Sequence, residues 1–296
     1  YFCDATGSQD ISTIAINSDP KLLNTIEELV KASGDKNIVQ KVKKALKKLK
    51  IALLVVDYQN DFVTGSLPIA EGDAKEDPHI SVKKANELVE AKFDEIVLTQ
   101  DWHPANHISF IDHANDSDRT LGQKHKAHKL NLFEPVEFVE PNKIQVLYPS
   151  HCVENTEGAE FIPELIIPPS AIIVQKGMDT LIDSYSAFMD NDGEKKSELD
   201  EVLHQLDVDA VVSCGVAYDI CVFHTTKDAH KLKYLAATAR DAGAALLKDG
   251  IDNAHAHYKK EKIAVLTAEE AVQMVETREK FPLEWIYHTL QKIVHE

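Results

Sequence analysis

From Ile51 the chain reads IALLVVD, an unbroken apolar run without polar alternation. Runs of this kind suit strands covered on both faces, as in a parallel sheet. They recur as EIVLTQD near Ile96, IQVLYP near Val146, AIIVQKG near Ile173, DAVVSCG near Val212 and KIAVLT near Ile263. Between several of them lie stretches with helical spacing: ISVKKANELVEAKF, KSELDEVLHQL, ICVFHTTKDAHKLK and TAEEAVQMVE. This alternation predicts an α/β fold, a doubly wound and mostly parallel sheet with helices on both faces. At 296 residues, 44% of them hydrophobic, the chain is long enough to bury such a core as one large domain with an appendage.

The appendage is read at the N-terminus. In SDPKLLNTIEELVKASGDKN, Ser18 or Asp19 caps a helix and Pro20 suits its first turn. Leu22, Leu23, Ile26, Leu29 and Val30 mark one face, and Gly34 ends it. A second short helix is expected near Ile38 to Leu49. Residues 1–48 therefore read as a helical extension that packs on the core or on a partner subunit, and 49–296 as the main domain. Residues 1 to about 20 show no clear period and read as loosely ordered. Residues 112–143 are polar and rich in His and Lys. They read as an inserted loop or hairpin, either a lid beside the site or solvated filler.

Charge and cysteine usage exclude several classes. A net charge of −17 repels phosphate backbones, so nucleic acid is excluded as a partner. The basic run VKKALKKLK reads as the solvated face of a helix. No apolar run reaches the roughly 18 residues that span a bilayer, which excludes a membrane-spanning segment. The cysteines, Cys3, Cys152, Cys214 and Cys221, form no CxxC pair and fit a reduced, cytoplasmic protein with one functional thiol. The chain opens on Tyr1 rather than Met, so its true N-terminus reads as missing or processed, and any targeting signal would be invisible in this sequence. Self-association into a homo-oligomer is left open.

In doubly wound sheets, ligands bind at the carboxyl ends of the strands. The first strand here ends at Asp57, a carboxylate where the apolar pattern stops. The second ends at Asp101, followed by His103 and then His107, while His151 follows a later strand in YPSHC. Asp-x-His on an extended segment sends both side chains to one side. One carboxylate with two or three imidazoles suits Zn, Fe, Mn or Co. Lys176 closes the run IIVQK, where an ammonium needs a partner if buried. After the break at Gly215, a helix is expected to start near Asp219, with Cys221 in its first turn. Backbone N–H groups there stabilise a thiolate or hold an oxyanion. Singly, each residue has a plain alternative: a loop cap, a surface histidine, a snorkelling lysine, a packed thiol. Their shared place on one edge of one sheet outweighs those readings.

Taken in order, VVDYQNDF, DWHPANHISF, YPSHCVENTEGAEF, VQKGMD with YSAF, and CGVAYDICVFHTTKDA resemble the motifs of the nicotinamidases, among the isochorismatase-like cysteine hydrolases. The resemblance covers about residues 50–275. It implies hydrolysis of nicotinamide to nicotinate and ammonia, in salvage of the pyridine nucleotide NAD. It assigns Asp57, Lys176 and Cys221 to a catalytic triad with Cys221 as nucleophile, and the Ala217 and Cys221 N–H groups to the oxyanion hole. Asp101, His103 and His151 match the ligands of one divalent metal ion, Zn foremost. His107 matches a fourth ligand that only some members use. Phe62, Tyr148, Tyr185, Val216 and Ala217 match the substrate pocket, with Tyr148 where many members carry Trp and Val216–Ala217 at a bond that is cis in the family. Cys152 adjoins a ligand and is not the nucleophile. The alternative is a related cysteine amidohydrolase acting on another small amide, although such relatives generally lack the Asp-x-His set. A scaffold built on a decayed hydrolase is disfavoured by the intact motifs.

Overall fold

The computed structural model of the protein describes residues 10–295, so Cys3 lies outside the described residues. Residues 10–19 differ from the loose segment expected of them. Ile11–Ile14 form a 3₁₀ turn capped by Asp10, and both isoleucines are buried. Ile14 and Ile16 then exchange backbone hydrogen bonds with Phe281 near the other end of the chain. Two isoleucines spaced by one turn are too short a pattern to register as periodic, yet sufficient to anchor a strap.

Helix α1 (Pro20–Ser33) follows, with the Asp19 carboxylate accepting from the N–H groups of Lys21 and Leu22. Gly34 closes it in the left-handed conformation, at φ 64°. Its buried face is Leu22, Ile26 and Val30. Helix α2 (Ile38–Leu46) buries Ile38, Val39, Val42 and Leu46. Strand β1 (Ile51–Val56) is buried throughout. Next come a short α3 (Asn60–Val63), α4 (Pro78–Val89) and β2 (Glu95–Asp101). An insertion carries β3 (Thr120–Leu121), the single turn α5 (Gln123–Lys126), β4 (Pro135–Glu140) and β5 (Asn142–Val146). The alternation then resumes with β6 (Ile172–Lys176), α6 (Leu199–Gln205), β7 (Ala210–Val216), α7 (Phe223–Lys231), β8 (Leu235–Ala244), α8 (Lys248–Glu261), β9 (Ala264–Leu266), α9 (Ala268–Thr277) and α10 (Leu283–His295).

The main sheet has the order β6-β2-β1-β7-β8-β9, and every pair in it is parallel. Alternate residues of β1 enter different cores, as strand geometry requires. Leu53 and Val55 pack with Val82 and Ala85 of α4 and with Trp285 of α10; α1 and α2 join that core. Leu54 and Val56 pack with Val222, with Ala229 of α7 and with Tyr258 of α8. Trp285 is fully buried and donates its indole N–H to Ala236 O at 3.0 Å. No helix among the described residues is long and apolar enough to cross a membrane.

Two strand readings are corrected. The first half of the IQVLYP run, Ile144 to Val146, belongs to β5 in a separate antiparallel sheet β3-β4-β5, and not to the parallel sheet. The insertion around it is thus a small sheet. Val136 and Phe138 of β4 point into its own core with Ile108 and Leu147, while Glu137 and Val139 face solvent. The sequence LAATARDAGA, passed over as a strand, forms β8 between β7 and β9. Its Ala-rich composition has helical propensity, but small side chains are what a central strand needs where α4 and α10 press on it.

Candidate active site

Strands β1, β2, β6 and β7 are neighbours, so their carboxyl ends converge. β1 ends at Asp57, whose backbone turns out of the strand at φ 51°. Its Oδ1 accepts from the Thr99 hydroxyl at 2.6 Å, and its Oδ2 pairs with Lys176 Nζ at 2.9 Å. Lys176, the last residue of β6, also donates to Asp101 Oδ1 and to Ser184 O at 3.0 Å. Its Nζ lies 3.6 Å from Cys221 Sγ. Asp57, Lys176 and Cys221 are all buried. Burial disfavours charge on the lysine, yet the adjacent Asp101 and Asp57 carboxylates more than offset it, and Lys176 stays ionised far above its ordinary range. An oxygen of Asp57, an oxygen of Asp101 and Cys221 Sγ also lie close enough together to suggest a metal site. The ammonium of Lys176 reaches all three and already serves as their cation.

Cys221 sits in a π-helical turn, Tyr218–Val222, one residue short of α7. Burial raises its thiol well above the ordinary range; Lys176 lowers it, while Asp57 and Asp101 push it up again. The resting sulfur therefore keeps its proton and needs a base. Burial likewise raises the Asp57 carboxyl, which prepares it to accept one. The Val216–Ala217 peptide is cis, as the family resemblance implies. Val216 itself is buried in the main core, and Ala217 rather than Val216 lines the cleft beside Cys221.

Along the same cleft, one ligand atom each from Asp101, His103 and His151 lie within 4.8 Å of one another, with Asp101 common to this group and to the one around Cys221. His103 Nδ1–H donates to Gly177 O at 2.8 Å, and His151 Nδ1–H donates to Pro149 O at 2.7 Å. Each ring is thereby left with its Nε2 lone pair for a ligand. Burial, with His103 beside it, holds His151 down to about 4, so it is neutral near neutral pH. Two oriented imidazoles and one carboxylate fit a divalent metal ion. His107 stays out of this trio. It stacks on His103 with ring centroids 4.1 Å apart. Its Nδ1 meets the Ser109 hydroxyl at 2.7 Å and its Nε2 faces Ile182 O at 3.4 Å.

Phe62, Tyr148 and Tyr185 wall the space between thiol and imidazoles, with Leu67, Ile69, Ile220 and Leu246 adding to the apolar lining. The two tyrosine hydroxyls are 3.3 Å apart. Phe133 of the insertion packs edge-on to Tyr148, 5.9 Å between centroids, so the insertion backs one wall. Sequence reasoning missed Asp183, a buried carboxylate in the same cleft that accepts from Gln145 Nε2 at 3.0 Å. It also missed Asp61, which accepts from the N–H groups of Cys152 at 2.7 Å and Ser66 at 3.0 Å and so ties the loop carrying His151 to α3, which carries Phe62. Neither lies at a strand end, so only the contacts reveal them. Cys152 is buried and its thiol is raised well above the ordinary range by burial, then by Asp101 and Asp61; it faces Gly158 O and not the cleft.

The Isochorismatase domain model matches residues 51–270. The chain belongs to the isochorismatase family. Within that family it is 35% identical to the nicotinamidase of Escherichia coli (strain K12) over 209 residues, 69% of this chain and 88% of that one. Among solved structures, the Acinetobacter baumanii nicotinamidase/pyrazinamidase aligns with a TM-score of 0.65 and 32% identity, covering 75% of this chain and 98% of that one. The pyrazinamidase of Pyrococcus horikoshii in complex with zinc aligns at 0.56 and 30%, covering 74% and 99%. The α1–α2 pair and α10 lie outside the residues that the family model matches.

Proposed function

We propose that this protein hydrolyses nicotinamide to nicotinate and ammonia in NAD salvage, with Cys221 as nucleophile. The observation that carries the reading is one cleft lined by Cys221, with Lys176 and Asp57 buried behind the thiol, and by the imidazoles of His103 and His151, with Asp101 between the two groups. A flat ring between Phe62, Tyr148 and Tyr185 reaches both groups. The similarity to nicotinamidases supports that substrate.

In this mechanism Asp57 takes the Cys221 proton while Lys176 balances the carboxylate and thiolate charges. The thiolate attacks the amide carbon, and the Ala217 and Cys221 N–H groups hold the oxyanion. The proton on Asp57 passes to nitrogen, the C–N bond breaks and ammonia leaves a thioester. Asp57 then takes a proton from water, which attacks the thioester, and nicotinate leaves as the sulfur recovers its proton. Asp101, His103 and His151 are the residues that would hold a metal ion, for which Zn is our choice. A bound metal would supply a Lewis acid to orient the pyridine nitrogen, directly or through bound water. His107 is kept as the optional fourth ligand: its Nδ1 meets the Ser109 hydroxyl, while the ring also groups with His103 and Asp183. The three described cysteines are free, which supports a cytoplasmic setting.

The test is kcat/KM for nicotinamide, pyrazinamide and benzamide under one set of conditions. Benzamide keeps ring size and amide but lacks the nitrogen, and a lost ligand contact of this kind costs roughly 10²-fold or more. Pyrazinamide keeps a nitrogen at the equivalent position and should turn over. Equal rates for benzamide and nicotinamide would replace this reading with a general aryl amidase.

A further inference from the structure

β1 leaves the sheet one rung too early for its neighbour. Its last pair is Val56 with Thr99, and the Asp57 N–H reaches Thr99 O at 3.2 Å before the chain turns away. Along β2 the peptide groups face alternate sides. Thr99 faces β1, and the Trp102 N–H faces β6, where it donates to Lys176 O at 2.9 Å. Asp101 therefore turns its N–H and C=O toward the place that β1 has vacated. Left unmade in the interior, such bonds would leave both groups desolvated without a partner.

Gln59 fills the place with its side chain. Its Oε1 accepts the Asp101 N–H at 2.8 Å, and its Nε2 donates to Asp101 O at 2.7 Å. The second amide proton goes to Ala159 O at 2.9 Å. A flipped carboxamide would turn all three contacts repulsive, so the network fixes its orientation. The residue is 0% exposed, and its own main chain bridges to Phe161 on the far side. One carboxamide thus does for Asp101 what a peptide group of β1 would have done.

Asp101 is also the side chain that both halves of the cleft share. Its Oδ1 receives Lys176 Nζ, and its Oδ2 lies 3.5 Å from His103 Nε2. A strand end lacking one of its two neighbours is free to fray, and fraying here would swing the carboxylate away from both. We propose that Gln59 is a positioning residue of the metal centre: its carboxamide replaces the missing strand rung and holds the Asp101 carboxylate between Lys176 and the imidazoles. This rests on the reading of Asp101, His103 and His151 as metal ligands.

The experiment is a Co(II) titration of the full chain, followed by the visible absorption of the bound ion and by competition with a chelator. The proteins are the native one, Gln59→Met, Gln59→Glu and Asn60→Ala. Met keeps length and apolar volume but neither donor nor acceptor. Glu keeps the acceptor and sets an oxygen against the carbonyls of Asp101 and Ala159. Asn60→Ala removes only the neighbouring tie from Asn60 Nδ2 to Glu157 O, and so controls for general loosening of the loop. The expected result is Co(II) affinity lowered by roughly 10–100-fold in both Gln59 variants, the scale of outer-sphere losses. Their spectra should change, while Asn60→Ala keeps the native affinity and spectrum. Should Gln59→Met fail to fold, Gln59→Glu decides alone. Native affinity and spectrum in the folded Gln59 variants would overturn the proposal, as would an equal loss in Asn60→Ala. Absence of stoichiometric Co(II) in the native protein would instead remove the metal reading on which it rests.

Discussion

Lys176 stands between two carboxylates, Asp57 at 2.9 Å and Asp101, with all three side chains at most 6% exposed. Glu279 stands between two ammonium groups, Lys43 at 2.7 Å and Lys47, with side chains 27% to 52% exposed. The two triads have similar contacts, opposite charge balance and opposite settings. At Glu279, water can replace either partner and salt screens both. At Lys176 it cannot, so every member depends on the others and removing one strands the rest. Distance alone does not distinguish a surface tether between α2 and the turn before α10 from the electrostatic centre of the cleft; desolvation does.

The largest effect should come from the group that this centre serves. Cys221→Ala should lower turnover of nicotinamide by roughly 10⁴-fold or more while still binding it. Cys152→Ala should keep far more activity, because its sulfur faces away from the cleft. Steady-state rates and equilibrium binding on the same preparations check both, and near-native turnover in Cys221→Ala would end the mechanism.

The comparison itself breaks or holds at the two ion triads. Lys176→Met leaves two buried carboxylates without a counter-charge, and should cost about 3–5 kcal/mol of stability. Glu279→Gln should leave the unfolding midpoint close to native, with any difference vanishing in high salt. Denaturant unfolding at two salt concentrations measures both. Equal losses would show that burial is not what separates them.

Metal removal should come next in size. A chelator should lower activity, and a divalent ion should restore it. His103→Ala should weaken metal binding more than His107→Ala does, as read by elemental analysis after dialysis.

The smallest effect concerns a half-buried base that lacks a carboxylate partner. His224 is held down to about 3, from an ordinary 6.5, by burial and then by Lys227, whose ammonium donates to its Nδ1 at 3.1 Å. Between about pH 6.5 and 3 the unfolded chain binds a proton that the folded one refuses. Stability therefore falls as pH drops through that window, by up to about 1.4 kcal/mol per pH unit from this group. His224→Gln should flatten that slope in unfolding experiments between pH 6.5 and 4. An unchanged slope would mean that His224 finds a way to charge inside the fold. In contrast to Lys176, it shows what happens to a half-buried titratable group without an opposite charge: it stays neutral.

The parallel sheet was legible because short unbroken apolar runs such as that of β1 suit a strand covered on both faces. β8 was not, since Ala and Thr owe their place there to the helices pressing on them and not to a strand pattern of their own. β5 was assigned to the wrong sheet because four or five apolar residues do not say which partner they will find. In the cleft, residues ending a strand stood out, as a charge closing an apolar run is conspicuous. Gln59, Asp61 and Asp183 act through partners about 40 to 90 residues away, a relation that no local pattern carries.

The strand order has a consequence for how the molecule comes into being. β1 meets β2 early, through a local helical crossover, but β7 and β6 reach them only after most of the chain has been laid out. Contacts of such long sequence separation form late, because a large loop must be closed before they reward it. Helical signal on refolding should therefore rise ahead of enzymatic activity. A nascent chain would carry Asp57 and Asp101 for some time before Lys176 arrives between them, and its two acidic strand ends would stay wet until then.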